Sequence, residues 1–216
     1  MRSLPLLLIL ASLSACAPLL PTTLRYAWPP SVTEYTAISE QDGLESRFTV
    51  REVWQGPTQR GSWQVWRVES FVVDGAGIRS GRTEHMGHSP AGWALLQVGG
   101  GGGLDRSFEP PLTLLRGDVQ VGDAWFAEHS STQGPVSHGC EVLPYVGCEK
   151  GVTSRCVTDF GTHRSIAERD FCPEGGMVAL RTSQVRDEKV VGELRTLGPI
   201  KATGERPEPA VKGQKK

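Results

Sequence analysis

The stretch from Arg47 to Val72, RFTVREVWQGPTQRGSWQVWRVESFV, decides the fold. Apolar side chains recur in it at every second position. Phe48, Val50 and Trp54 share one face. After the breaks at Gln55-Gly56-Pro57 and Gly61-Ser62, Trp66, Val68 and Val72 share a face, with Trp63, Val65 and Phe71 opposite. A period of two belongs to extended chain, whose side chains alternate between two faces, and Gly and Pro supply the turn. The reading is two antiparallel strands joined by a loop.

The pattern continues outward from there. Residues 79–86 and 93–98 read as further strands, followed by 124–130, 151–158, 164–171, 177–186 and 189–197. Asp187-Glu188 is placed to turn the chain between the last two. No segment carries a sustained apolar repeat at helical spacing. The chain is therefore expected to be all-β: a curved antiparallel sheet or half-barrel with hairpin connections and few or no helices. It contains 26 Gly and no Asn, so turns that need positive φ are expected to fall mostly on Gly. The run Gly99 to Gly103 is not a phosphate loop, because Leu104-Asp105 follows where Lys-Ser or Lys-Thr would be needed. It reads as a flexible loop, and a division into two halves is possible near 99–105.

At the N-terminus one arginine precedes a greasy run, Leu4 to Leu13. That run is about half of the ~20 residues a membrane-crossing helix needs. It reads as a cleaved signal peptide. The run ends in Leu13-Ser14-Ala15-Cys16, which resembles the lipobox of bacterial lipoproteins. The resemblance implies that Cys16 is acylated, as with palmitate, and becomes the mature N-terminus. Several acyl chains on one residue hold a protein where a single chain binds marginally. The residue after the cysteine is Ala17 rather than Asp, which in the enterobacterial pattern implies the outer membrane, facing either the periplasm or the cell surface. The expected organisation is a signal peptide over 1–15, a lipidated tether over 16–24, one β-rich domain over 25–198 and a disordered tail over 199–216.

With Cys16 set aside, Cys140, Cys148, Cys156 and Cys172 form an even set in an exported chain, and two disulfides are expected. Three connectivities are open; Cys140–Cys148 with Cys156–Cys172 is preferred, as staples on successive hairpins. Zinc is the alternative, with His129, His138 or His163 as partners, but the cysteine gaps are too long for a usual zinc site. No metal or other cofactor is assigned. A formal net charge of −1 leaves no electrostatic footprint for nucleic acid.

Three segments in the second half resemble short motifs of a loose class of bacterial envelope lipoproteins. They are Pro110-Pro111-Leu112 followed by Val121-Gly122-Asp123-Ala124-Trp125 (a VGxxW segment), Gly139-Cys140-Glu141-Val142, where the class often carries a cysteine in a strand, and Cys172-Pro173-Glu174-Gly175-Gly176-Met177-Val178 (similar to GVGLV). The resemblance implies a curved antiparallel sheet. It brings no catalytic residue with it.

Candidate chemistry is sparse. Gly87-His88-Ser89-Pro90-Ala91 is close to a nucleophile elbow but lacks its final glycine and a following helix. His85 and His88, three apart on a strand, face opposite sides and cannot share a metal unless a turn intervenes. The tryptophans Trp54, Trp63, Trp66 and Trp93 are expected in the core, or on a concave face open to a lipid, glycan or peptide. The function expected is a lipid-anchored, non-catalytic binding or scaffolding component of a cell-envelope assembly, with the membrane and an envelope protein as partners. The alternatives are a carrier or chaperone for an acyl chain, which needs an apolar cavity, and an envelope hydrolase, which needs Ser89 and a histidine to meet in a cleft.

Overall fold

The computed structural model describes residues 32–74, 77–100, 103–173, 176–198 and 200–204. Cys16, the signal peptide, the tether and most of the expected tail lie outside these residues. Among them there are strands and turns and no helix. The first six strands are β1 (Val32–Gln41), β2 (Leu44–Arg60), β3 (Trp63–Asp74), β4 (Gly77–Ser89), β5 (Gly92–Gly100) and β6 (Gly103–Arg116). They are followed by β7 (Ala124–Ser131), β8 (Val136–Tyr145), β9 (Gly151–Asp159), β10 (Arg164–Cys172), β11 (Gly176–Arg186), β12 (Lys189–Thr196) and β13 (Lys201–Gly204).

Each strand from β1 to β11 pairs antiparallel with its successor, and β12 returns to pair with β1. The meander is thus closed into a barrel, which covers the edges that β1 and β12 would expose in an open sheet. The half-barrel expectation resolves into this closed form. The edge of β1 that closes the barrel is shared. Ala37 to Gln41 pair with β12, and Val32 to Glu34 pair with β13. Lys201–Gly204 falls within the stretch read as a tail, so ordered chain extends past the expected boundary at 198. The glycine run does not divide the chain either. Gly99 and Gly100 belong to β5 and Gly103 to β6, which pair as one hairpin.

Not every positive-φ turn falls on Gly. Asp187 and Glu188, at φ 48° and 62°, form the β11–β12 turn, and Asp42 precedes Gly43 in the β1–β2 turn. Paired positive φ values match the twist of the strands they join.

Alternation sorts the side chains as the sequence implies. Tyr35, Val50, Trp66, Val68, Trp93, Trp125, Val142, Cys156 and Phe171 face inward and are buried. One cluster joins Trp66, Trp93, Leu115, Trp125 and Phe171 across the interior, so the lumen is a packed core. The outer wall carries ion pairs, among them Arg51–Glu34 at 2.9 Å, Arg155–Glu141 at 2.9 Å and Arg181–Glu193 at 3.1 Å. Exposed pairs of this kind contribute little stability. They do give these parts of the outer wall a charged character.

Candidate functional site

The wall changes character where β6 meets β7. Pro110 and Pro111 have no N–H to give to a neighbouring strand. The β6–β7 ladder has only the pairs Phe108↔Ser131 and Glu109↔Ser130, which stop at that dipeptide. Beyond it β6 stays paired with β5 but runs across the inner side of β7–β9, where side chains receive its carbonyls. Trp125 Nε1 donates to Thr113 O at 3.1 Å, and His138 Nε2 lies 2.9 Å from the same oxygen. Ser154 Oγ donates to Leu114 O at 2.6 Å. His129 Nδ1 is 2.7 Å from Pro110 O. A carbonyl can only accept, so His138 carries its proton on Nε2 and His129 on Nδ1. His138 Nδ1 then accepts from Thr158 Oγ1 at 2.9 Å. Burial holds the His138 imidazole neutral and lowers its pKa to about 4. The VGxxW segment has its physical reason here: Gly122, at φ 96°, turns the chain so that Trp125 enters the core and tethers β6.

The inward course of β6 leaves β7 with a strand edge. Val142 N–H donates to Asp123 O at 2.9 Å. That phase turns the backbone groups of odd-numbered β7 residues toward β8 and those of Ala124, Phe126 and Glu128 toward the seam. Among the described residues no strand pairs with them there. Phe126 is 68% exposed on this edge, with Val121 and Leu143, 55% and 38% exposed, on the neighbouring surface.

A second polar region lies inside β1–β4. The Tyr35 hydroxyl donates to Glu52 Oε1 at 3.0 Å, and both residues are buried. Burial first, then the Glu84 carboxylate, raise the Glu52 pKa to about 7, against hydrogen bonds from Tyr35 and Trp54. Glu84 pairs with Arg82 at 2.6 Å. Across the interior, Arg169 Nη1 is buried without a hydrogen-bond partner, and burial lowers the Arg169 pKa.

The third feature is outside the barrel. A depression of about 470 Å³ on β2–β4 is lined by Gln55, Gln59, Arg60, Val65, Arg67 and His85, among others.

Of the tryptophans singled out in the sequence, Trp54, Trp66 and Trp93 meet inside. The Trp66–Trp93 ring centroids are 5.2 Å apart, and Trp54 meets Trp93 edge-on at 6.4 Å. Trp63 is apart from them on the outer face. The concave face expected to present aromatics is thus the inside of a closed wall, already filled by three of them.

The cysteines pair as Cys140–Cys156 and Cys148–Cys172, which corrects the preferred connectivity. Cys140 and Cys156 lie directly opposite in the β8–β9 register, and both point inward. Cys148 sits in the β8–β9 turn and reaches Cys172 at the end of β10. His138 Nε2 is 3.2 Å from Cys140 Sγ, but disulfide sulfurs offer no thiolate to a metal. Ser89 Oγ accepts from Ala91 N at 3.2 Å within the β4–β5 turn. His88 faces the other side of the wall, against the Trp93 ring at 4.9 Å. His85 points outward to Gln97, at 3.1 Å. The buried Glu52 and the β7 edge were not singled out from sequence. Glu52 leaves a signal, a carboxylate at an inward position between Val50 and Trp54.

No family model matches this chain, and no curated protein matches it. Among solved structures it is similar to a protein from Bacteroides fragilis described as exported, with a YmcC-like fold. The identity is 11%, over 82% of this chain and 98% of that one, with a TM-score of 0.41. It is also similar to a protein from Parabacteroides distasonis described as a lipoprotein, at 11% identity, 82% and 97% coverage and a TM-score of 0.39.

Proposed function

We propose that this chain is an exported barrel, held at the bacterial outer membrane by lipid on Cys16. There it acts as a non-catalytic binding component of an envelope assembly, taking an extended segment of a protein partner along β7. The observation that carries the reading is the ladder that stops at Pro110. It leaves the seam-facing backbone groups of Ala124, Phe126 and Glu128 without a strand, beside an exposed aromatic ring. Addition of a strand to such an edge supplies affinity through main-chain hydrogen bonds and specificity through alternate side chains. Two disulfides favour an oxidising compartment. The interior does not favour the acyl-carrier reading, because Trp54, Trp66, Trp93 and Trp125 occupy the space a chain would need. Nor does the Ser89 turn favour the hydrolase.

The test places a photo-crosslinking residue at position 126 in cells, with exposed position 40 of β1, paired with both β2 and β12, as control. A discrete protein adduct is expected at 126 alone. Phe126→Pro removes only a seam-facing N–H and should abolish capture of that protein in pull-downs. Equal adducts at both sites, or full capture by the proline variant, would sink the reading. For the anchor, Cys16→Ser should end palmitate labelling and release the protein from the membrane fraction. Retention with labelling would count against it.

A further inference from the structure

The depression on the outer face of β2–β4 is made by a local irregularity. The β2–β3 register slips between Gln55 and Thr58, so Gly56 and Pro57 bulge outward. Gly56 is required there: it has φ 121°, and a Cβ would lie 2.9 Å from Val65 O. The bulge walls off a hollow whose floor is Val65, an outward-facing apolar residue that is only 6% exposed. Arg60, Arg67, Gln55 and His85 line it around that floor, as does Gln59, whose amide is turned to Gly61 O at 2.6 Å.

Trp63 is outside this lining but neighbours two of its members, Arg60 and Val65. It lies opposite Arg60 in the β2–β3 register, on the same face as Val65. Its indole rests on the backbone of Gly87, where a Cβ would come within 2.9 Å of the ring. Gly87 therefore lets a half-buried aromatic ring lie against the wall.

The charges are unequal. Glu69 pairs with Arg67 at 2.5 Å and accepts from Gln55 at 3.0 Å. Arg60 makes no ion pair among the described residues. His85 donates from Nδ1 to Gln97 Oε1, which leaves Nε2 as an acceptor. The hollow thus offers one uncompensated guanidinium, a carboxylate and an imidazole nitrogen as acceptors, and a neighbouring ring with an apolar face. Hydroxyl-rich rings have the matching chemistry. Their C–H face lies on an aromatic plane, their hydroxyls both donate and accept, and an acidic substituent suits a guanidinium fork. A volume of about 470 Å³ suits a short run of sugar units.

We propose that this groove binds an acidic saccharide, with Arg60 on its carboxylate or phosphate and Trp63 under a sugar ring. The site is separate from the β7 edge, and the two proposals stand or fall independently.

The test is calorimetric titration of the folded chain with three probes: an oligogalacturonate, a phosphorylated oligomannose and a neutral maltooligosaccharide. At least one acidic probe should bind with Kd at or below about 1 mM, and the neutral one at least ~10-fold more weakly. The acidic probe that binds tells carboxylate from phosphate. Arg60→Gln should weaken it by ~10-fold or more, as should Trp63→Ala, while Phe126→Pro leaves it unchanged. Unchanged melting of the Arg60→Gln single variant, at an exposed position, separates lost binding from lost folding. The proposal is overturned if neither acidic probe binds at about 10 mM, if the neutral one binds equally well, or if the arginine and tryptophan variants bind as the parent does.

Discussion

The interior holds two polar regions that meet the same difficulty in opposite ways. Around His138 the buried groups have found neutral partners, with the exception of His129 Nε2. The imidazole bridges Thr158 and the Thr113 carbonyl, Trp125 takes the second lone pair of that carbonyl, and Ser154 takes Leu114. Around Glu52 the groups are ionisable and incompletely matched. A carboxyl is buried beside a second carboxylate, and Arg169 keeps one nitrogen unpartnered. Buried polar groups stabilise a fold only when they are satisfied, and removing one partner of a satisfied set strands the others. The first region should therefore resist alteration, and the second should improve with it.

The largest effect is expected at the disulfide beside His138. Cys140–Cys156 and Cys148–Cys172 close loops of 16 and 24 residues, so chain entropy gives them similar stabilisation, ~3 kcal/mol each. Only the first is buried, at 5% and 2% exposure, and its loss also opens a hole against the Thr113 and Leu114 backbone. Cys140→Ala with Cys156→Ala should cost ~4–5 kcal/mol, and the Cys148 and Cys172 pair clearly less. Urea denaturation of both double variants measures the gap. Equal losses would mean that the inner region adds nothing beyond loop closure.

His138→Ala comes next. It leaves Thr158 without its acceptor and removes one donor from Thr113 O, in a site 2% exposed. The expected loss is ~3–4 kcal/mol at neutral pH. A loss under ~1 kcal/mol in the same denaturation experiment would show that water replaces the ring and that the network is not tight.

How much of this was legible in the sequence follows from what each strand puts inside. The strands β2 and β3 announce themselves because large apolar residues occupy alternate positions. β1 does not, because its inward positions include Thr33 and Ala37, which carry no hydrophobic signal. β6 is concealed by Pro110-Pro111 and by the glycines before it, which read as a break and in fact mark a strand that leaves the wall. The cysteine pairing needed the β8–β9 register. Gaps in sequence favour staples within hairpins, whereas Cys140 and Cys156 meet across a ladder whose turn holds Cys148. The binding groove was partly visible: Trp63 was assigned to the face opposite Trp66, but the Gly56 bulge that hollows that face depends on a register slip.

The smallest effect, and the most diagnostic, belongs to Glu52. Its folded pKa, about 7, lies above the ordinary 4.5, so the folded chain holds a proton that the unfolded chain releases. Stability from this group falls as pH rises from 4.5 to 7 and does not recover above. His138 acts the other way. Its folded pKa, about 4, lies below 6.5, so the unfolded chain takes up a proton that the folded chain refuses, and stability falls as pH drops from 6.5 to 4. Between 4.5 and 6.5 the two slopes oppose each other, and their combined contribution is nearly flat. Glu52→Gln keeps an acceptor for the Tyr35 hydroxyl and removes the first slope. The variant should gain up to ~3 kcal/mol at pH 8, little at pH 5, and show the acid sensitivity of His138 uncovered. Denaturation of parent and variant at both pH values decides it. If the difference between pH 5 and pH 8 is the same in the two proteins, the carboxyl is ionised at neutral pH, and Arg169 or water has matched the charge.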